Sequence, residues 1–80
     1  MVRHTDEVEP ETLAEDFRDV GATADAYTKV DPLVVVERGD VPDDRVEGMA
    51  DAAGYTVFAR DADEYTLIDT AAYEAKVGGL

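Results

Sequence analysis

The stretch from Leu33 to Ile68, LVVVERGDVPDDRVEGMADAAGYTVFARDADEYTLI, decides the fold. Its opening run Leu33-Val34-Val35-Val36 is aliphatic and β-branched, which suits a strand buried on both faces or a central strand with one face under helices. Gly39-Asp40 ends it. Val46, Met49, Ala50 and Ala53 then fall at i, i+3, i+4 and i+7, the period of an amphipathic helix. Pro42, Asp43 and Asp44 stand in or near its first turn, where a missing N–H costs nothing and negative charge suits the helix dipole. Gly54 closes it. Gly48 inside the helix costs about 1 kcal/mol relative to alanine and suggests close approach to a neighbouring element. Tyr55 to Arg60 and Glu64 to Asp69 alternate around Asp61-Ala62-Asp63, the spacing of a β-hairpin with a three-residue loop. Alternation puts Tyr55, Val57 and Ala59 on one face of the first strand, and Tyr65 and Leu67 on one face of the second.

Working back toward the N-terminus, Asp31-Pro32 separates Leu33 to Glu37 from Tyr27-Thr28-Lys29-Val30, which also has strand composition. Proline cannot donate to a ladder, so the two segments are either one bulged edge strand or two strands joined by a turn. Ala22 to Ala26 is a connection of undecided type. Before it, Pro10 opens a helix in which Leu13, Phe17 and Val20 recur on one face and Gly21 marks the end. With Glu9 at the cap, Val8 and Leu13 have the spacing of a hydrophobic staple. Residues 1–8 lack periodicity and are expected to form a flexible tail, leaving 9–80 as a single domain. Toward the C-terminus, Thr70 is placed to cap a short helix from Ala71 to about Val77, with Gly78-Gly79 beyond it. The expected fold is α+β: a small two-layer sandwich, a three- to four-stranded sheet with two helices on one face and a short C-terminal helix.

Charge narrows the function. The 80-residue chain has 20 Asp and Glu against 7 Lys and Arg, a net charge of −13, and only Lys29 and Lys76 among its cations are lysines. Many carboxylates with few lysines resemble the salt-adapted proteins of extreme halophiles. Molar salt shortens the Debye length to ~3 Å and screens the self-repulsion of such a surface. No basic cluster is present, so binding to nucleic acid or an anionic membrane is not expected. No apolar run is long enough to span a bilayer and no charged leader precedes one, so a cytoplasmic location is expected.

The segment quoted above, strand, acidic loop, helix ending Ala-Gly-Tyr, strand, turn, strand, resembles the second half of small sulfur-carrier proteins of the TusA/SirA type. The resemblance implies a β-α-β-α-β-β sheet with two helices on one face. That family works through a cysteine in a Cys-Pro pair at the start of its first helix. Glu9-Pro10 stands there in this chain, which has no cysteine. Persulfide relay needs a thiolate, so the resemblance leaves only a cysteine-less relative docking on a sulfur-transfer or tRNA-modification complex. Gly78-Gly79 is similar to the end of ubiquitin-like modifiers, although Leu80 follows and would have to be removed.

No catalytic, cofactor or metal residues are expected. Serine and cysteine are absent and the threonines have no histidine partner; His4, the one histidine, lies in the tail. The carboxylate groups Glu15/Asp16, Asp43/Asp44 and Asp61/Asp63/Glu64 have the makings of acid–base pairs or divalent-cation sites. In so acidic a chain they are expected as solvated surface. Gly39-Asp40-Val41-Pro42 precedes a helix, but its acids repel anions. The expectation is a non-catalytic, non-enzymatic binding or regulatory module acting through a protein partner or a second copy of itself. Tyr27 and Tyr65, near a sheet edge, are the candidate interface residues.

Overall fold

A computed structural model describes residues 8–78. The chain runs α1 (Pro10–Asp19), β1 (Thr23–Tyr27), β2 (Leu33–Glu37), α2 (Asp43–Ala52), β3 (Tyr55–Asp61), β4 (Glu64–Asp69) and α3 (Thr70–Gly78). Among the described residues the four strands form one sheet in the order β1-β2-β4-β3, each neighbouring pair antiparallel. Strands β2 and β3 therefore run parallel, with β4 inserted between them and α2 as the crossover. This is the α+β sandwich the sequence predicts.

Helices α1 and α2 cover one face, here the inner face. Leu13, Ala14 and Phe17 from α1 and Val46 and Ala50 from α2 share one core with Ala24, Val34, Val36, Tyr55, Tyr65 and Leu67 from the sheet. The aliphatic run of β2 divides by parity, Val34 and Val36 inward and Leu33 and Val35 outward. Thus β2 is a central strand with one face under helices. Val8, expected in the tail, is half-buried: its N–H donates to the Ala53 carbonyl at 3.4 Å, and its own carbonyl accepts the Tyr55 hydroxyl at 3.1 Å. His4, Gly79 and Leu80 lie outside the described residues, as does any strand preceding α1.

Several local expectations are corrected. The first strand is Thr23–Tyr27, so Lys29 and Val30 belong to the loop and Asp31-Pro32 to a turn between two strands. The alanines decide this. Ala22, Ala24 and Ala26 alternate with polar residues and present small side chains to α1, which packs over β1 and β2. The β3–β4 loop is Ala62-Asp63, because Asp61 pairs with Glu64, and Ala62 takes the left-handed φ of 53°. Strand β3 also bulges at Phe58: Val57 faces Leu67, whereas Ala59 faces Thr66. One extra residue reverses the alternation. Ala59 moves to the outer face and Arg60, opposite Tyr65, moves to the inner one. Asp69, not Thr70, caps α3, its Oδ1 accepting the N–H groups of Ala71 at 2.8 Å and Ala72 at 3.4 Å. Gly48 makes no close approach, since a Cβ built there meets nothing within 4 Å.

Candidate functional site

Two places concentrate side chains with chemistry. The first lies on the inner side, where the bulge has delivered Arg60. Asp43, the first residue of α2, accepts a hydrogen bond from the hydroxyl of fully buried Tyr65 and another from Arg60 Nη2 at 2.7 Å. The Arg60 guanidinium also stacks on the Tyr65 ring, 5.0 Å from its centroid. Arg38 Nε lies 3.1 Å from Asp43 Oδ1, close enough to pair charges but not aligned for a hydrogen bond. Arg38 reaches the β3–β4 turn as well, with Nη2 3.2 Å from Asp63, and donates through Nη1 to the Val41 carbonyl at 3.2 Å.

The electrostatics of this cluster do not suit acid–base work near neutrality. The Tyr65 hydrogen bond, helped by Arg60, holds the Asp43 carboxyl below its usual range. Burial, then the hydrogen bond to Asp43, pushes the Tyr65 phenol up. A general acid or base working near neutrality needs its pKa brought toward 7, and here both groups are driven away from it. The cluster is a clasp that fastens the start of α2 to the β3–β4 hairpin.

The other carboxylates are dispersed. Glu15, Asp16 and Asp44 are exposed on helices, and Asp61 and Glu64 are exposed at the hairpin end. Among the described residues no three His, Cys, Asp or Glu side chains are placed to hold a metal ion. Of Gly39-Asp40-Val41-Pro42, the last three border an open depression of about 430 Å³ that Arg45 also lines.

The second place is the outer face of the sheet. Strand pairing lines up Tyr27, Leu33, Ile68 and Thr56 in one row and Asp25, Val35, Thr66 and Ala59 in the next. Only part of this face is covered. Helix α3 folds back over the β3–β4 side, where Thr70 and Thr56 share a hydroxyl hydrogen bond of 2.7 Å and Tyr73 meets Phe58 edge-on at 6.1 Å. Lys76 ties its far end to Asp31 at 3.0 Å. Ile68 is buried as a result. Toward β1 the face stays open: Tyr27 is 54% exposed, Leu33 and Val35 are half-buried, and Phe58 and Val77 at the margin of α3 are 54% and 49% exposed.

The two tyrosines singled out in the sequence therefore separate. Tyr27 pairs with Leu33 and Tyr65 with Val36, three residues further along β2, so they point to opposite faces. Tyr27 is on the open surface; Tyr65 is fully buried in the clasp and presents no interface. Leu33 and Val35 complete the open patch, whereas Phe58 and Tyr73 meet on the β3–β4 side that α3 covers. For the first two, the signal was the continuous aliphatic run, which supplies an apolar side chain to each face in turn. No family model, curated protein or solved structure matches the chain.

Proposed function

We propose that this chain is a non-catalytic protein-binding module of a salt-rich cytoplasm, docking through the outer face of its sheet. One observation carries the reading: toward β1, the sheet face bearing Tyr27, Leu33 and Val35 is left uncovered by α3. Contiguous apolar surface on a small domain marks an interaction site more often than scattered exposed residues do. Tyrosine and phenylalanine supply large contact area for little conformational entropy, which suits them to interface centres. Molar salt strengthens the case, because it screens charge steering while leaving apolar burial effective. No helix among the described residues is long and apolar enough to cross a membrane. The net charge of −13 opposes contact with phosphates.

Photo-crosslinking tests the proposal. A benzoylphenylalanine at position 27 is expected to capture a defined protein from lysate in molar salt, whereas the same probe at position 15, on the exposed side of α1, is not. Equal capture from both positions, or none from position 27, would overturn it.

A further inference from the structure

The outer face is divided along its length. Beyond the two rows already described, strand pairing sets Thr23, Glu37, Glu64 and Asp61 side by side, with Glu37 directly opposite Glu64 and Glu64 directly opposite Asp61. Like charges facing each other across strands destabilise a sheet. Yet the outward positions of the four strands carry Asp25, Glu37, Glu64 and Asp61 and no cation, and none of these four has an ion pair among the described residues. Three of the arginines are engaged elsewhere. Arg38 and Arg60 serve the clasp, and Arg18 donates to the Ala24 carbonyl at 3.0 and 2.9 Å. Arg45 stands on α2, and Lys76 is held by Asp31.

We propose that this face docks a basic, amphipathic segment of another protein, with apolar side chains on Tyr27, Leu33 and Val35 and Lys or Arg reaching Glu37, Glu64 and Asp61. The proposal rests on the protein-binding reading of the same face and adds the chemistry of the partner. Charge complementarity selects it: apolar surface adjoins carboxylates that have no ion pair among the described residues. The apolar row and the acidic row are four residues apart along the strands, about 13 Å. A partner helix covers that span in a little over two turns. A second copy fits poorly. Face to face, one two-fold arrangement stacks acidic row on acidic row, and the other buries carboxylates against Tyr27 and Leu33.

The test uses two synthetic helical peptides with the same leucine stripe, one with lysines at its end and one with glutamates. Each is titrated into the ¹⁵N-labelled protein in molar KCl and again at the lowest salt that leaves the far-UV spectrum unchanged. The lysine peptide is expected to shift the amides of Tyr27, Val35 and Thr66 and to bind about fivefold more tightly than the glutamate peptide, more so at the lower salt. Glu37→Gln with Glu64→Gln should remove that preference. Glu15→Gln with Asp16→Asn, which removes equal charge from α1, should leave it within twofold. Tyr27→Ser should weaken both peptides. Equal binding of the two peptides on this face would overturn the basic partner while leaving a binding surface. Equal loss in the α1 variant, or shifts confined to α1 and α2, would reduce the effect to bulk charge and overturn it too. Self-association by sedimentation, abolished by Tyr27→Ser, would replace the partner with a second copy. Silence of the face toward both peptides, joined to absent crosslinking at position 27, would remove the binding-module reading itself.

Discussion

Replacing Tyr65 by phenylalanine keeps the ring, with Arg60 stacked on it, and removes only the hydroxyl that donates to Asp43. Arg60 and Arg38 still neutralise the carboxylate, so Tyr65→Phe is expected to fold and to lose about 1 kcal/mol. The pH dependence is more diagnostic than the size. The Tyr65 phenol is raised, chiefly by burial, so its protonated form is favoured in the folded state. Its contribution is complete below the unfolded tyrosine value of about 10 and is lost as pH rises through the higher folded value. Asp43 is lowered, chiefly by the Tyr65 hydrogen bond. Its contribution is complete above the unfolded value of about 3.9 and is lost as pH falls through the lower folded value. Urea unfolding in molar salt should therefore show an alkaline decline in the parent that Tyr65→Phe reduces, together with a smaller acid decline. The phenolate absorbance at 295 nm should lose the component that titrates above the ordinary tyrosine range. An unchanged alkaline decline in the variant would contradict this account of the clasp.

At the level of elements, α3 is the most conditional part of the fold. It buries no residue of its own, and it is held by the Asp69 cap, the Thr56–Thr70 pair, Tyr73 against Phe58 and Lys76 on Asp31. Asp69→Ala should cost about 1 kcal/mol. Hydrogen exchange should speed up across residues 71–78 before the rest of the domain, and dye binding should rise as Ile68 is uncovered. Helix α2 offers the converse experiment: with nothing within 4 Å of a Cβ at position 48, Gly48→Ala should stabilise the domain by about 1 kcal/mol in thermal melts. Both helices of the inner layer were legible in the sequence, because Leu13 with Phe17 and Val46 with Ala50 and Ala53 repeat at the period burial requires. Strand β1 was not. Its inward residues are alanines, whose alternation carries little hydrophobic contrast, while Tyr27 to Val30 has the stronger strand composition and lies mostly in the loop. The bulge at Phe58 was illegible for a different reason: Tyr55 to Arg60 alternates well without it, and only pairing with β4 reveals the extra residue. Because the bulge decides which face Arg60 occupies, the clasp was hidden along with it. The open face was half legible: Tyr27 lies exposed on it, whereas Tyr65 was assigned to a surface it does not reach.

For the whole molecule, the question is how 20 acids and 7 bases coexist with so small a core. Local pairing answers only part of it. Among the described residues, Asp31, Asp43, Glu47 and Asp63 make ion pairs, with Arg38, Arg60 and Lys76 as the cations. The remaining acids repel one another through solvent, and the row Glu37, Glu64 and Asp61 does so across the sheet. Surface ion pairs contribute ~0–1 kcal/mol each, too little to offset that repulsion. Screening by salt acts on all of it at once. As the Debye length shortens from ~10 Å at 0.1 M to ~3 Å at 1 M, the native state should gain about 2 kcal/mol, which for a domain of this size raises the Tm by about 8–16 °C. Salt also strengthens apolar burial, so a rise in Tm alone does not isolate repulsion. The variant Glu15→Gln with Asp16→Asn and Asp19→Asn separates the two effects, since these side chains are exposed and have no ion pair among the described residues. If repulsion dominates, the variant melts higher than the parent at 0.1 M KCl and the two converge at 1 M. Parallel curves would instead attribute the salt response to apolar burial and remove the acidic surface as its cause.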